Sequence, residues 1–326
     1  MRVGVIGPIS PDSFADNIVT TLTDMGHDPV PLGPLCARRG RYAAAVKMAI
    51  RNALPAVDER AQQRVAAAAL RAECEIVINV DQRLMPAAMR DMRRAGMKVG
   101  LWFPDAVLHM GRQFMLLAPY DAVFVKEPHV VDTLGPLLGK PLFYLPQACN
   151  PRWHRPLVPV GTEPCLVIAG NMYPSRLLLL ERLLASGVPL KLYGSGFPRW
   201  IGRTPLREVH DGRPVYGAEK ARVFRSAVGV LNTMHPAEIA GVNLRLFEAA
   251  GCGAAVLTEF RPTVPDLFAT GDEVLTFRDF DELVDQARRL LNDGGLSAKL
   301  GDAAAARAHH SHTYQQRLTV ILEKLC

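Results

Sequence analysis

Short continuous apolar runs alternate along this chain with longer stretches whose apolar residues recur every three or four positions. The runs suit strands buried on both faces and the longer period suits crossover helices, so the alternation predicts parallel sheets wound with helices. In the first half the strand candidates are Val3–Ile6, Glu75–Val80, Lys98–Phe103, Ala122–Val125 and Pro141–Leu145. The stripe Phe14, Ile18, Leu22 and Met25, closed by Gly26, marks the helix after the first strand. Between Val30 and Glu75 the pattern reads as a long helical excursion, broken at Pro55, with no function attached to its residues 36–73. A second series follows at Cys165–Ala169, Leu190–Tyr193, Val228–Leu231, Ala254–Leu257 and Val274–Thr276, with an amphipathic helix over Phe280–Leu291 and a helical stretch from Asp302 to Cys326. The proline-rich stretch from Pro146 to Pro164 has no period and reads as a hinge between domains at 1–155 and 156–326. Two doubly wound halves joined this way imply a cleft faced by strand-end loops, where ligands of open α/β sheets bind.

Composition agrees with that division. A chain of 326 residues exceeds the usual span of one core, and its 49% hydrophobic and 21% charged residues can fill two. No stretch approaches the ~20 apolar residues of a membrane span, and Pro8 stops the apolar N-terminal run too early for a signal peptide. Six scattered cysteines lack metal-ligand or redox spacing and read as reduced thiols, which suggests a cytoplasmic protein. The net charge of +6 is modest, and the basic clusters lack the interleaved aromatics of a nucleic-acid platform. One cluster, Arg199, Arg203, Arg207 and Arg213, follows the Tyr193-Gly194-Ser195-Gly196 turn and could neutralise an anionic ligand. The histidines His309, His310 and His312 have no acid or cysteine beside them to complete a metal site.

The richest stretch runs from Gly241 to Gly253 and then into Ala254–Leu257. It reads as a loop, a short helix with one carboxylate, a glycine-rich helix end and an apolar strand. Exposed N–H groups at a helix start attract a diphosphate, and a carboxylate two turns later can accept both hydroxyls of a ribose. Gly241 and Glu248, seven apart, would share one helix face. The same residues also fit an ordinary crossover helix whose glycines permit close packing.

Several segments resemble the group 1 glycosyltransferases of the GT-B type, with a finer similarity to the spore-maturation CgeB-like branch. They are Val167 to Arg176, Tyr193 to Phe197, Val230 to Asn232 and Asn243 to Glu248, joined in the first half by Trp102 to Asp105, Tyr120 to Phe124 and Tyr144 to Ala148. The resemblance implies two Rossmann-like domains and transfer of a sugar from a nucleotide diphosphate sugar to an acceptor held by the N-terminal domain. The acceptor, whether small molecule, glycan or protein, is not specified, and no cofactor beyond the donor is implied. The last helix would cross back to the first domain. In that frame Glu248 accepts from the ribose, or only pairs with Arg245. Arg245 and the amides near Asn243 and Leu244 hold the diphosphate. Asn171 and Arg176, just past Gly170, stabilise charge on the leaving phosphate, and Tyr193, Gly194 and Tyr216 lie at strand ends where they flank the base. Asp105 is the candidate general base, or a helix cap, with His109 four residues on as its partner and His235 as a second candidate for sugar or phosphate.

The chain departs from the family pattern at one point: of the two glutamates separated by seven residues, the first falls near Ala240, where Glu238 is the nearest acid. No Asp-x-Asp metal motif is present, which fits a metal-independent design with arginines and helix dipoles at the diphosphate. A nucleotide-sugar epimerase of the same architecture and a non-catalytic two-domain binder stand as alternatives. The loops around Pro8–Asp12 and Arg38–Arg41 are where acceptor choice is expected.

Overall fold

A computed structural model describes residues 1–35, 46, 49–51, 53–106, 114–158, 161, 163–198 and 200–326. His109, Arg199 and the Arg38, Arg39 and Arg41 cluster lie outside the described residues. The chain divides into two compact units, one of Met1–Pro146 with Tyr314–Cys326, the other of Gln147–Thr313. Each is a parallel sheet covered by helices, so the structure has the two Rossmann-like doubly wound domains that the apolar pattern predicts.

The first unit runs β1 (Arg2–Ile6), α1 (Phe14–Asp24), β2 (Asp28–Gly33), α2 (Pro55–Arg71), β3 (Ile76–Asn79), α3 (Pro86–Arg94), β4 (Lys98–Phe103), α4 (Phe114–Leu117), β5 (Ala122–Val125), α5 (Pro128–Leu138) and β6 (Leu142–Tyr144). Among the described residues its six strands lie in the order β2-β1-β3-β4-β5-β6. Strand β2 was not expected from the sequence, because Pro29 and Pro31 interrupt its apolar run. The structure puts it at the sheet edge, where a residue without an N–H is tolerated, with Val3 opposite Pro29 and Val5 opposite Pro31. The helical excursion breaks where expected: Ala53 is helical, Leu54 leaves the helical backbone, and Pro55 begins helix α2, where a first-turn residue needs no hydrogen-bonded N–H. The unit's last helix, here α12 (Tyr314–Leu325), buries Tyr314, Leu318, Ile321 and Leu325. Trp102 on β4 meets Phe14 of α1 and Tyr314 of α12 edge to face, with ring centroids 4.6 and 5.6 Å away.

The second unit runs β7 (Glu163–Ala169), α6 (Pro174–Ala185), β8 (Leu190–Tyr193), α7 (Gly217–Ser226), β9 (Ala227–Asn232), α8 (Leu244–Gly251), β10 (Val256–Glu259), α9 (Val264–Leu267), β11 (Val274–Phe277), α10 (Phe280–Asn292) and α11 (Gly294–Ser311). Its strands lie in the order β11-β10-β9-β7-β8. One face packs Val167, Val230 and Val256 against Phe224, Phe247 and Ala304 of helices α7, α8 and α11. The other packs Leu166, Leu257 and Leu275 against Leu180, Leu183, Leu283 and Leu290 of α6 and α10. Strand β10 starts two residues later than its apolar run. Helix α8 is closed by Gly253 N–H donating to Ala250 O and Ala254 N–H to Ala249 O, which takes Ala254 out of the strand. The stretch from Asp302 to Cys326 contains a break, since His312 (φ −131°, ψ 41°) ends α11. The ring Nε2 of His312 lies 2.7 Å from Leu267 O, and Cys149 N–H donates to His312 O at 2.8 Å.

Candidate functional site

In an open parallel sheet the crevice for a ligand opens beyond the carboxyl ends of two neighbouring strands whose connections leave in opposite directions. In the second unit that point lies between β7 and β9. Strand β7 runs out at Gly170, whose N–H donates to Tyr193 O at 2.9 Å. A Cβ at Gly194 would stand 2.2 Å from Gly170 O, so a glycine there lets the loops after β7 and β8 close back to back.

From that turn the chain enters α6 through Tyr173 and Pro174, and Arg176 reaches back across the crevice. Its Nε donates to Thr233 Oγ1 at 2.8 Å, Nη1 to Asn171 O at 2.7 Å and Nη2 to Thr233 O at 3.0 Å. The guanidinium also lies over the Tyr173 ring, 4.4 Å from its centroid. Burial holds the Arg176 pKa below the usual arginine value, and the positive charge of Arg245 adds to that shift while Tyr173 opposes it. Two like charges close enough to repel make this corner favourable for an anion.

Asn243 caps α8: its Oδ1 accepts from Arg245 N–H at 3.1 Å, while its Nδ2 donates to Thr233 O at 3.1 Å. The cap therefore ties the start of α8 to the loop that holds Arg176. Leu244 opens the helix, and Gly241 lies outside it, so the expected sharing of a helix face with Glu248 does not occur. Arg245 donates through Nη1 to Glu248, and its Nε is buried without a hydrogen-bond partner.

Glu248 is 3% exposed. Its Oε1 accepts from Lys220 Nζ at 2.7 Å, its Oε2 from Arg245, and His154 Nε2 is 3.6 Å from Oε1. His154 is fully buried, and its Nδ1 accepts from Asn150 N–H at 3.0 Å, which leaves the ring proton of the neutral form on Nε2, facing Glu248 and Lys220. A buried carboxylate so engaged is a structural keystone of this helix as well as a candidate ligand group.

The remaining expected residues fall as follows. The structure contradicts the strand-end placement of Tyr216: it precedes helix α7 and is exposed, with its carbonyl accepting from Lys220 N–H, because Gly217 starts the helix immediately after it. Tyr193 ends β8 and is buried, its phenol pushed up mainly by desolvation. His235 orders its loop: its Nδ1 accepts from Ala237 N–H at 3.1 Å, its own N–H donates to Glu238 Oε2 at 2.7 Å, and its ring packs edge-on against Tyr173. Asp105 belongs to the first unit and is exposed two residues beyond β4. Of the late arginine cluster, Arg213 is paired with Asp211 and Glu219, and Arg207 donates to Ile201 O and Gly202 O. His309 Nε2 meets Gly251 O at 2.9 Å. In the first unit, Asp12 adopts a left-handed backbone (φ 62°) at the end of the Pro8–Asp12 loop, a conformation that aspartate takes more readily than most non-glycine residues.

Sequence reading missed Lys220, Thr233 and His154. Lys220 left a trace, since it shares a helix face with Ala221 and Phe224, where a lysine is out of character. His154 lies in the unpatterned hinge and left none.

Residues 176–323 match the sequence model of a family described as Glycosyl transferase-like. None of the curated protein sequences matches this chain. Among solved structures, it is similar to HepE of Anabaena in complex with UDP-glucose, with a TM-score of 0.67 at 14% identity over 100% of both chains. Sucrose-phosphate synthase from Thermosynechococcus elongatus gives a TM-score of 0.65 at 11% identity, over 99% of this chain and 97% of that one. A glycosyltransferase from Rickettsia africae gives 0.65 at 12% identity, with the same coverage. At such identities the likeness establishes the GT-B fold, and the family match supports a glycosyltransferase. Among the described residues no helix is long and apolar enough to cross a membrane.

Proposed function

We propose that this protein moves a sugar from a nucleotide diphosphate sugar to an acceptor hydroxyl without a metal ion. The observation that carries this reading is the start of α8. There Asn243 caps the helix, and Arg245 keeps a buried Nε–H without a partner beside the charge of Arg176. The positive end of α8 and two guanidiniums supply the field that a divalent cation would otherwise provide at a leaving diphosphate. The ribose hydroxyls are assigned to Glu248, whose carboxylate also accepts from Lys220 and Arg245. The Gly170–Arg176 and Asn243–Glu248 segments also support placing the chain in the CgeB-like branch.

Asp105 of the first unit is assigned as the general base on the acceptor. The nucleotide-bound state of HepE makes UDP the first ligand to try. Calorimetry with UDP and UDP-glucose in the presence of a chelator is expected to give binding that Arg245→Ala weakens at least tenfold. No heat with UDP, GDP, TDP or ADP defeats the proposal. Asp105→Asn is expected to abolish sugar transfer while leaving nucleotide affinity unchanged, and full turnover in that variant removes the base assignment.

A further inference from the structure

The other face of the same sheet carries a cavity of about 440 Å³, bounded by the length of α6, the first turn of α10 and the chain at and just beyond the ends of β9, β10 and β11. Four arginines line it, Arg176, Arg182, Arg261 and Arg278, against two carboxylates, Glu259 and Asp279. Both carboxylates are committed. Glu259 accepts from Arg261 Nη1 at 2.8 Å and from Met234 N–H at 2.9 Å, and Asp279 caps α10 through Asp281 N–H and Glu282 N–H. Arg176 is also committed, and Arg261 spends Nε and Nη1 on protein oxygens.

Arg182 and Arg278 differ from these. Neither makes an ion pair with any described residue. Arg182 lies over the Phe280 ring at 3.7 Å and Arg278 over the Phe260 ring at 4.0 Å. A guanidinium stacked on a ring is held flat by its face while its in-plane N–H groups remain open for a bidentate oxyanion. The two guanidiniums without an ion pair, Arg182 and Arg278, match the dianion of a phosphate monoester. The volume lies in the range of pockets that hold whole small molecules, about 300–1,000 Å³. Leu179, Phe277 and Phe280 give it an apolar floor for a carbon skeleton, and Ser175 adds a hydroxyl.

We infer that this cavity binds a small phosphate monoester, separately from the nucleotide at the start of α8. The test is calorimetric titration of the full chain with glucose 6-phosphate and, in a second arm, with inorganic phosphate, each with and without saturating UDP. Wild type binds glucose 6-phosphate at least tenfold more tightly than inorganic phosphate, with or without UDP, and Arg182→Ala/Arg278→Ala weakens it at least tenfold while UDP affinity is unchanged. Absence of binding, equal affinity for the two probes, displacement by UDP or indifference to the double substitution overturns the inference. The arm without UDP depends only on Arg182 and Arg278, so it remains decisive even if the nucleotide reading fails.

Discussion

Glu248 sits 3% exposed between Lys220 and Arg245 on one face of the second sheet, whereas on the opposite face Arg182 and Arg278 rest on phenyl rings and make no ion pair with any described residue. The first arrangement matches each charge with a partner inside the protein; the second leaves charge in excess at the rim of a cavity. Removing one member of the first strands another in a low-dielectric interior, so its charges hold the fold together before they hold a ligand. The second can lose its cations without stranding anything, so selection for stability does not account for them. Charge that the fold can spare is the better guide to a ligand, and charge that it cannot spare must be tested by variants that keep the fold intact.

The largest effect should follow Glu248→Gln, which removes the buried carboxylate charge that Lys220 and Arg245 both donate to: urea unfolding should show a loss of about 3–5 kcal/mol. Glu248→Leu combined with Lys220→Met should recover most of that loss, because an apolar pair of similar volume replaces the ion pair. A double variant as unstable as the single one would mean that the cluster stabilises through geometry that hydrocarbon cannot mimic. Next comes Arg245→Ala, for which a tenfold loss of UDP affinity corresponds to about 1.4 kcal/mol of binding. Asn243→Ala should cost about 1 kcal/mol as a lost helix cap, read by thermal unfolding. Smallest is Arg182→Ala with Arg278→Ala, expected to change stability by less than about 0.5 kcal/mol. A markedly larger loss there would erase the contrast between the two faces.

The same contrast marks how far the sequence could be read. Strands β4, β5 and β8 were legible to the residue, because continuous apolar runs bounded by turn residues have one reading. Strand β2 was not, since Pro29 and Pro31 mimic a loop and only its edge position makes them tolerable. The helix of Glu248 was legible from its glycines and flanking strand, yet its partners were not: Lys220 lies 28 residues away and His154 lies 94, distances that local periodicity does not bridge. The cavity of Arg182 and Arg278 draws on four separate segments, so no contiguous motif announced it. His109 lies outside the described residues, and the pairing expected of it with Asp105 remains an expectation.

Helix α12 gives the first unit a dependence on the order of synthesis. Its Tyr314 completes the aromatic contact with Trp102 and Phe14, and Leu325 packs against Gly100, yet the whole of Gln147–Thr313 is made before it. The contiguous second unit can therefore close on itself during translation, while the first must wait with an apolar groove open. A fragment cut at Pro146 would carry all six strands of its sheet and still lack part of its own interior.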